Sequence, residues 1–392
     1  PPRLGLSETH YSTPCRAMSR DSPPASQTPS PTGGSDVASG RASLWAAWLH
    51  RHFLWFLIGS YALAAVWPRM GLAIRNVTIV DPSGREVHAP MLLLALLLFC
   101  AAAVIRWSEF RDLWVKPSVM FLGLAAAWAG PAVFVAVLAP LIMRTGDPES
   151  AGGVLVGLAL VAAMPVANSS AGWSQNAGGN VALSLAMITL SILLSPIMAP
   201  QMLQLMGFVL SDQVTQQIES VVARFSGAEF ILWVILPSLA GAAVGSWAGP
   251  ERIAKVRMWI RLITLIDLLL LNYANAALAM PKVVATETLL SVTVPMITAA
   301  AVSLLGVLLA IALARYTSMS GSSRIAMLFA LSMKHTGLAL VLAGEVLAES
   351  PRVILTILLA TVLQHIVAAT VDWWLQRGGR GDSTDPTDRS DA

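Results

Sequence analysis

Residues 165–176 read Pro-Val-Ala-Asn-Ser-Ser-Ala-Gly-Trp-Ser-Gln-Asn, and residues 332–337 read Ser-Met-Lys-His-Thr-Gly. Each stretch interrupts a long apolar run with small and polar side chains, the composition at which helices end or kink. Ser170 and Lys334 lie 164 positions apart, and so do Pro131 and Pro295, each in the preceding apolar run. One offset shared by two landmarks predicts two halves of five helices. Five is odd, so the second half is expected to be inverted relative to the first. In that architecture paired discontinuous helices meet near the middle of a bilayer and build a solute site. The plainer alternative is coincidence and two unrelated kinks.

The rest of the chain reads as a polytopic, all-helical membrane protein. Of 392 residues, 56% are hydrophobic and only 12% charged, against roughly 25% charged in soluble domains. Apolar runs fall at about 53–74, 90–107, 118–143, 153–176, 180–206, 228–248, 261–281, 288–315, 323–346 and 352–376. Lipid offers no partner to unpaired backbone groups, so each run must be helical, about ten helices in all. Residues 50–206 form the expected first repeat and 228–376 the second. Between them, 207–227 carries Val214, Ile218, Val221, Val222 and Phe225 on one helical face, which predicts a short connector helix in the membrane interface. Residues 1–43, rich in Pro, Ser, Thr and Gly, and residues 377–392 read as disordered tails. Met18 is a candidate start, which leaves open whether Pro1 to Ala17 belong to the native protein.

Lysine and arginine set the orientation. With the N-terminus inside, the inner loops hold Arg106, Arg111 and Lys116, then Arg252, Lys255, Arg257 and Arg261, then Arg315 and Arg324. Four outer loops hold one each: Arg144, Arg224, Lys282 and Arg352. Only Arg75 and Arg85, in the first outer loop, blur the contrast. The expectation is an integral protein of the plasma (inner) membrane, surrounded by lipid, with both termini cytoplasmic. Its oligomeric state is not readable. The net charge of +3 implies no nucleic-acid partner. Cys15 and Cys100 permit neither a disulfide framework nor a Cys/His metal site. No phosphate-binding loop is present, so ATP-driven pumping has no site. No paired catalytic carboxylates or Ser/His/Asp arrangement points to an enzyme.

Three stretches carry a family resemblance. Residues 165–196, with Gly-Asn-Val-Ala-Leu-Ser at 179–184, resemble the region around the first broken helix of the bile acid:sodium symporter family. Thr-Gly-Leu-Ala-Leu at 336–340 resembles the stretch after the second break. Glu-Phe-Arg at 109–111, followed by Lys116 and Pro117, resembles the loop between helices 2 and 3. The resemblance covers about residues 50–378. It implies ten helices in two inverted repeats, a panel domain moving against a core domain, and helices 4 and 9 crossing in the core. It also implies an organic anion coupled to two sodium ions near that crossing.

Carried over by position, Ser170 and Ser184 match sodium ligands and keep an oxygen. Other positions depart. Ala171 stands for an asparagine, Ile188 for a threonine (with Thr189 adjacent), Ala330 for an acidic ligand, Lys334 for a glutamine, His335 for an asparagine and Ala126 for a glutamine. The alanines supply no side-chain oxygen and Lys334 adds a positive charge, which repels a bound cation. Ordinary two-sodium coupling is therefore not expected. Lys334 is expected to act as a built-in cation, its ammonium satisfying carbonyls exposed by the unwound helix. A lysine that passes between wet and dry surroundings can give up its proton, which opens H+ coupling as a route. Asp267 is its expected counter-charge, either functional or as a permanent structural pair.

The candidate substrate and ion site comprises Asn168, Ser169, Ser170, Ser184, Thr189, Lys334, His335, Thr336, Asp267, Asn272 and Asn275. His335 either binds a carboxylate or relays protons, or is a core histidine bonded to backbone. Asn272 and Asn275 share a face and either line the cavity or join helices. Gln364 and His365 read as structural, Glu345 as solvated, and Trp373 and Trp374 as an interfacial belt. The leading functional expectation is a secondary carrier of an organic anion or small amphipathic solute. The alternative is a membrane sensor that kept the fold and does not transport. No cofactor is expected beyond the coupling ions named.

Overall fold

A computed structural model describes residues 52–80, 84, 86–104, 117–144, 147–207, 212–225, 227–286 and 289–381. The tail expected over 1–43 lies outside the described residues, as do 382–392. The described chain is helical except for one small hairpin. α1 (Phe53–Val66) and α2 (Pro68–Arg75) meet at a 98° bend. Pro68 causes it, since the residue before a proline is driven out of the helical region. Trp67 sits at φ −129°, ψ 65°.

Strands β1 (Thr78–Val80) and β2 (Glu86–His88) then pair antiparallel, Ile79 opposite Val87. This hairpin is the one departure from helix among the elements of the described residues. Its signal was a short β-branched run, which favours extended backbone, and Gly84 supplies a positive φ of 83° between the strands.

α3 (Ala89–Ala103), α4 (Pro117–Ile142) and α5 (Pro148–Ala163) follow. Asp147 caps α5 by accepting the Ser150 N–H at 2.9 Å. Beyond the first interruption come α6 (Ser169–Asn176), α7 (Val181–Gly207) and α8 (Asp212–Phe225). The apolar face of α8 is turned inward: Val214, Ile218 and Val221 are buried where α8 packs on α5, α7 and α12 (Thr336–Val346). The apolar face of this connector thus meets protein.

A helical turn (Ala228–Phe230) and a π-helical turn (Ile231–Ile235) lead into α9 (Leu236–Thr286). Residues 231–285 are 55 residues of apolar helix. As one rod they would span about 80 Å, against a hydrocarbon core of about 30 Å. Gly249, at φ 78°, breaks α9 into two limbs. α10 (Leu289–Tyr316) and α11 (Gly321–Ser332) precede the second interruption, and α12 and α13 (Pro351–Gly381) follow it. α13 continues to Gly381, so residues 377–381 are helical where a tail was expected.

Among the described residues five helices are long and apolar enough to cross a membrane, or six if the bent α1–α2 pair counts as one span. α3, α5 and α12 are shorter apolar helices. The chain is an all-α polytopic membrane protein by this measure.

Packing divides the helices into two groups. α9 lies along α1, α2 and α3, and α4, α5, α7, α10, α11 and α13 pack on one another; α9 also packs on α12 and α13, which joins the two groups. Gly241 and Gly245, one turn apart, let the first limb of α9 touch α3. A β-carbon there would stand 2.2 Å from the Phe99 carbonyl oxygen and 2.3 Å from that of Ala103. Close backbone approach through small residues is how helices associate in lipid.

Candidate functional site

The two interruptions face each other. Val166 and Lys334 form an antiparallel bridge. The Ala167 N–H donates to the Met333 carbonyl at 3.1 Å, and the His335 N–H to the Pro165 carbonyl at 2.9 Å. Unwinding a helix inside a membrane leaves backbone groups that must find partners. Neighbouring helices supply them here. Ser191 of α7 accepts the Val166 N–H at 3.0 Å. Gln364 of α13 accepts the Lys334 N–H at 2.9 Å and donates to the Thr336 hydroxyl at 3.3 Å. Trp128 of α4 donates its indole N–H to the Ala163 carbonyl at 3.1 Å, at the end of α5.

The Lys334 side chain is 3% exposed. Its ammonium donates to the carbonyls of Ala127 and Met164. Both carbonyls are free for a local reason. Ala127 would bond the N–H of residue 131 in a regular helix, but residue 131 is Pro131, which has none. Met164 lies where α5 has already ended. Asp267 is not the partner: among the described residues no ion pair joins it to Lys334. Asp267 is 3% exposed and faces Cys100 across the α3–α9 contact. Its carboxylate oxygens have no hydrogen-bond partner among the described residues. The expected counter-charge is thus replaced by backbone dipoles.

His335 caps α12. Its Nδ1 accepts the Leu338 N–H at 3.2 Å, so the ring proton belongs on Nε2, which lies 3.5 Å from the Asn168 amide. The Asn168 oxygen has no hydrogen-bond partner among the described residues. With its amide turned over, Asn168 presents that oxygen to the Nε2 proton. His335 is held by the backbone and by Asn168.

Ser169 and Thr189 line a cavity, with Asn168, Lys334, His335 and Thr336 at the same wall. Ser170 is fully buried behind it, its hydroxyl without a hydrogen-bond partner among the described residues, as are those of Ser174 and Thr189. Ser184 donates to the Asn180 carbonyl at 3.3 Å. A sodium site needs converging oxygens, but the free carbonyls at the break already accept from an ammonium. Ala126, Ala171 and Ala330 offer none from their side chains.

Asn272 and Asn275 do not line the cavity. They join helices. Asn272 accepts the Tyr61 hydroxyl of α1 at 3.0 Å, and Asn275 accepts from the Arg75 guanidinium of α2 at 3.1 Å. Arg75 is buried, donates to the Gly344 carbonyl and pairs with Glu345 at 3.6 Å. This corrects two readings. Arg75 is no loop cation blurring the charge asymmetry, and Glu345 is no solvated residue.

The cavity holds about 1290 Å³. It lies between the α1–α3–α9 group and the paired interruptions. Polar groups at the crossing line it, as do Arg257 and Arg261 of α9 and leucines of α3, α7 and α9. Sequence reasoning missed Ser191 and the role of Gln364, and counted Arg257 and Arg261 only as orientation signals. Their four-residue spacing, continuous with an apolar helix face, was the available clue.

A search of curated proteins returns no match to this chain. The model of the sodium bile acid symporter family, a family of membrane transporters, matches residues 91–287, half of the chain and the part that contains the first interruption, and the chain belongs to that family.

Proposed function

We propose that this protein is a secondary carrier that moves an organic anion or small amphipathic solute by alternating access, with Lys334 standing where a cation sits in sodium-coupled relatives. The observation that carries the reading is the Lys334 ammonium on the carbonyls of Ala127 and Met164 at the paired breaks. It neutralises the dipoles an unwound helix exposes, without an ion from solution. Ten crossings in two inverted repeats fit the apolar runs, the break at Gly249 and the antiparallel pairing of the two interruptions. On this reading α1–α3 with α9 form the panel, the remaining helices the core, and both termini are cytoplasmic.

The test is solute counterflow in proteoliposomes, with sodium present and absent and at two pH values. Exchange that ignores sodium supports the reading. Sodium-dependent exchange or sodium-dependent stabilisation of the wild type overturns the surrogate role. Binding without exchange favours a non-transporting sensor. Lys334→Gln, which restores the relatives' side chain, is expected to create sodium sensitivity. Dependence on a proton gradient that Lys334→Gln removes would identify H+ as the coupling ion.

A further inference from the structure

We infer that Arg257 and Arg261, on the second limb of α9, are the groups that recognise the charge of the solute. The inference rests on the carrier reading above and names a subsite within the same cavity. The crossing is a poor anion receptor. Two of the three Lys334 ammonium protons are already given to backbone carbonyls, and His335 spends Nδ1 on the Leu338 N–H and faces the Asn168 amide with Nε2. Arg257 and Arg261 differ. They stand four residues apart, hence on one helical face, and both line the cavity. Among the described residues neither has a carboxylate partner. Each guanidinium offers five N–H donors in a planar fork suited to a carboxylate or sulfonate. Thr264, Leu265 and Leu268 continue the same face along the cavity wall. A cavity with two guanidiniums that have no carboxylate partner among the described residues, apolar side chains, and hydroxyls and amides at the crossing fits one kind of solute. It has an anionic group at one end, an apolar body, and neutral hydrogen-bonding groups at the other. Its orientation is fixed, charge on α9 and neutral end at the interruptions.

The experiment uses the full chain in a non-ionic maltoside micelle free of phosphate, so that lipid headgroups cannot occupy the arginines. Thermal stabilisation is titrated with pyrenebutyrate and with its uncharged analogue pyrenebutanol. The wild type is expected to respond to pyrenebutyrate at lower concentration. The double variant Arg257→Gln/Arg261→Gln is expected to require about tenfold more pyrenebutyrate or beyond, the loss of a charge-assisted contact, with an unchanged response to pyrenebutanol that reports an intact fold. Arg257→Lys/Arg261→Lys, which keeps the charges, is expected to retain most of the preference, and Lys334→Gln all of it. A double Gln variant that binds pyrenebutyrate like the wild type overturns the arginine pair and leaves the carrier reading standing. So does loss of the preference in Lys334→Gln alone. A wild type that does not distinguish the two probes overturns the pair and the anion reading together.

Discussion

At the scale of the residue, Lys334 and Pro131 are one device. The proline withdraws an N–H from the Ala127 carbonyl, and the lysine returns a donor from another helix. Lys334→Met removes that donor and strands two buried carbonyls at about 1–3 kcal/mol each. Thermal unfolding is expected to show the loss. Pro131→Ala restores the missing N–H. In the wild type that gift competes with Lys334, while in the Lys334→Met background it rescues Ala127. A double-mutant cycle should therefore give a favourable coupling for the pair of changes; simple additivity would mean the two residues do not share the carbonyl. A second residue-scale prediction concerns pH. Ser150, through its side chain and its backbone N–H, holds the exposed Asp147 carboxyl below its ordinary value of 3.8. A carboxyl depressed by folding stabilises the fold fully above its unfolded value and loses that contribution as pH falls through the folded one. The wild type and Asp147→Ala are expected to differ in melting temperature at neutral pH and to converge below 3.8. A gap unchanged in acid would show the cap to be uncharged in effect.

At the scale of the element, close approaches and breaks decide which helices touch. Gly306 of α10 lies against the end of α11, where a β-carbon would sit 2.2 Å from the Leu331 oxygen and 2.6 Å from the Ser332 α-carbon. Gly306→Val is expected to push away the backbone that leads into Lys334. A cost of about 1–3 kcal/mol or more is typical of overpacking, and lost exchange should accompany it; Ser303→Ala, on the same helix, serves as the reference. Both interruptions were legible in the sequence because proline, glycine and serine act through local backbone preferences. The end of α9's first limb was legible too, since charge returns beyond Gly249. What was not legible is which side chain answers each freed backbone group. Ser191 and Gln364 do so because of the angles at which α7 and α13 cross the breaks, and one helix's periodicity carries no record of its neighbour's rotation. The Asp267 expectation failed for that reason. Opposite charges at similar depth in two helices need not face each other, and Asp267 looks toward α3.

At the scale of the whole molecule, the chain's course separates the cavity from the Arg75 cluster. α1 starts at the cavity wall, at Phe53 and Trp55, and runs about 20 Å to the bend that carries α2 and Arg75. α12 starts at the crossing and ends beside Glu345. Arg75, Asn275, Gly344 and Glu345 thus tie the two helix groups together at the end away from the cavity. On the carrier reading proposed above, this tie breaks when the cavity closes. Glu345→Gln keeps the side chain's shape and removes its charge, so it weakens the tie and shifts the population toward the state with the cavity end shut. Only a difference in free energy between the two states can move that balance, about tenfold for each 1.4 kcal/mol. Cys100 lines the cavity and gives the readout. In a Cys15→Ser background, modification of Cys100 by a small water-soluble thiol reagent is expected to slow by about the factor the tie contributes. Unchanged or faster labelling in Glu345→Gln would mean that the Arg75 cluster braces α2 and has no part in the alternation.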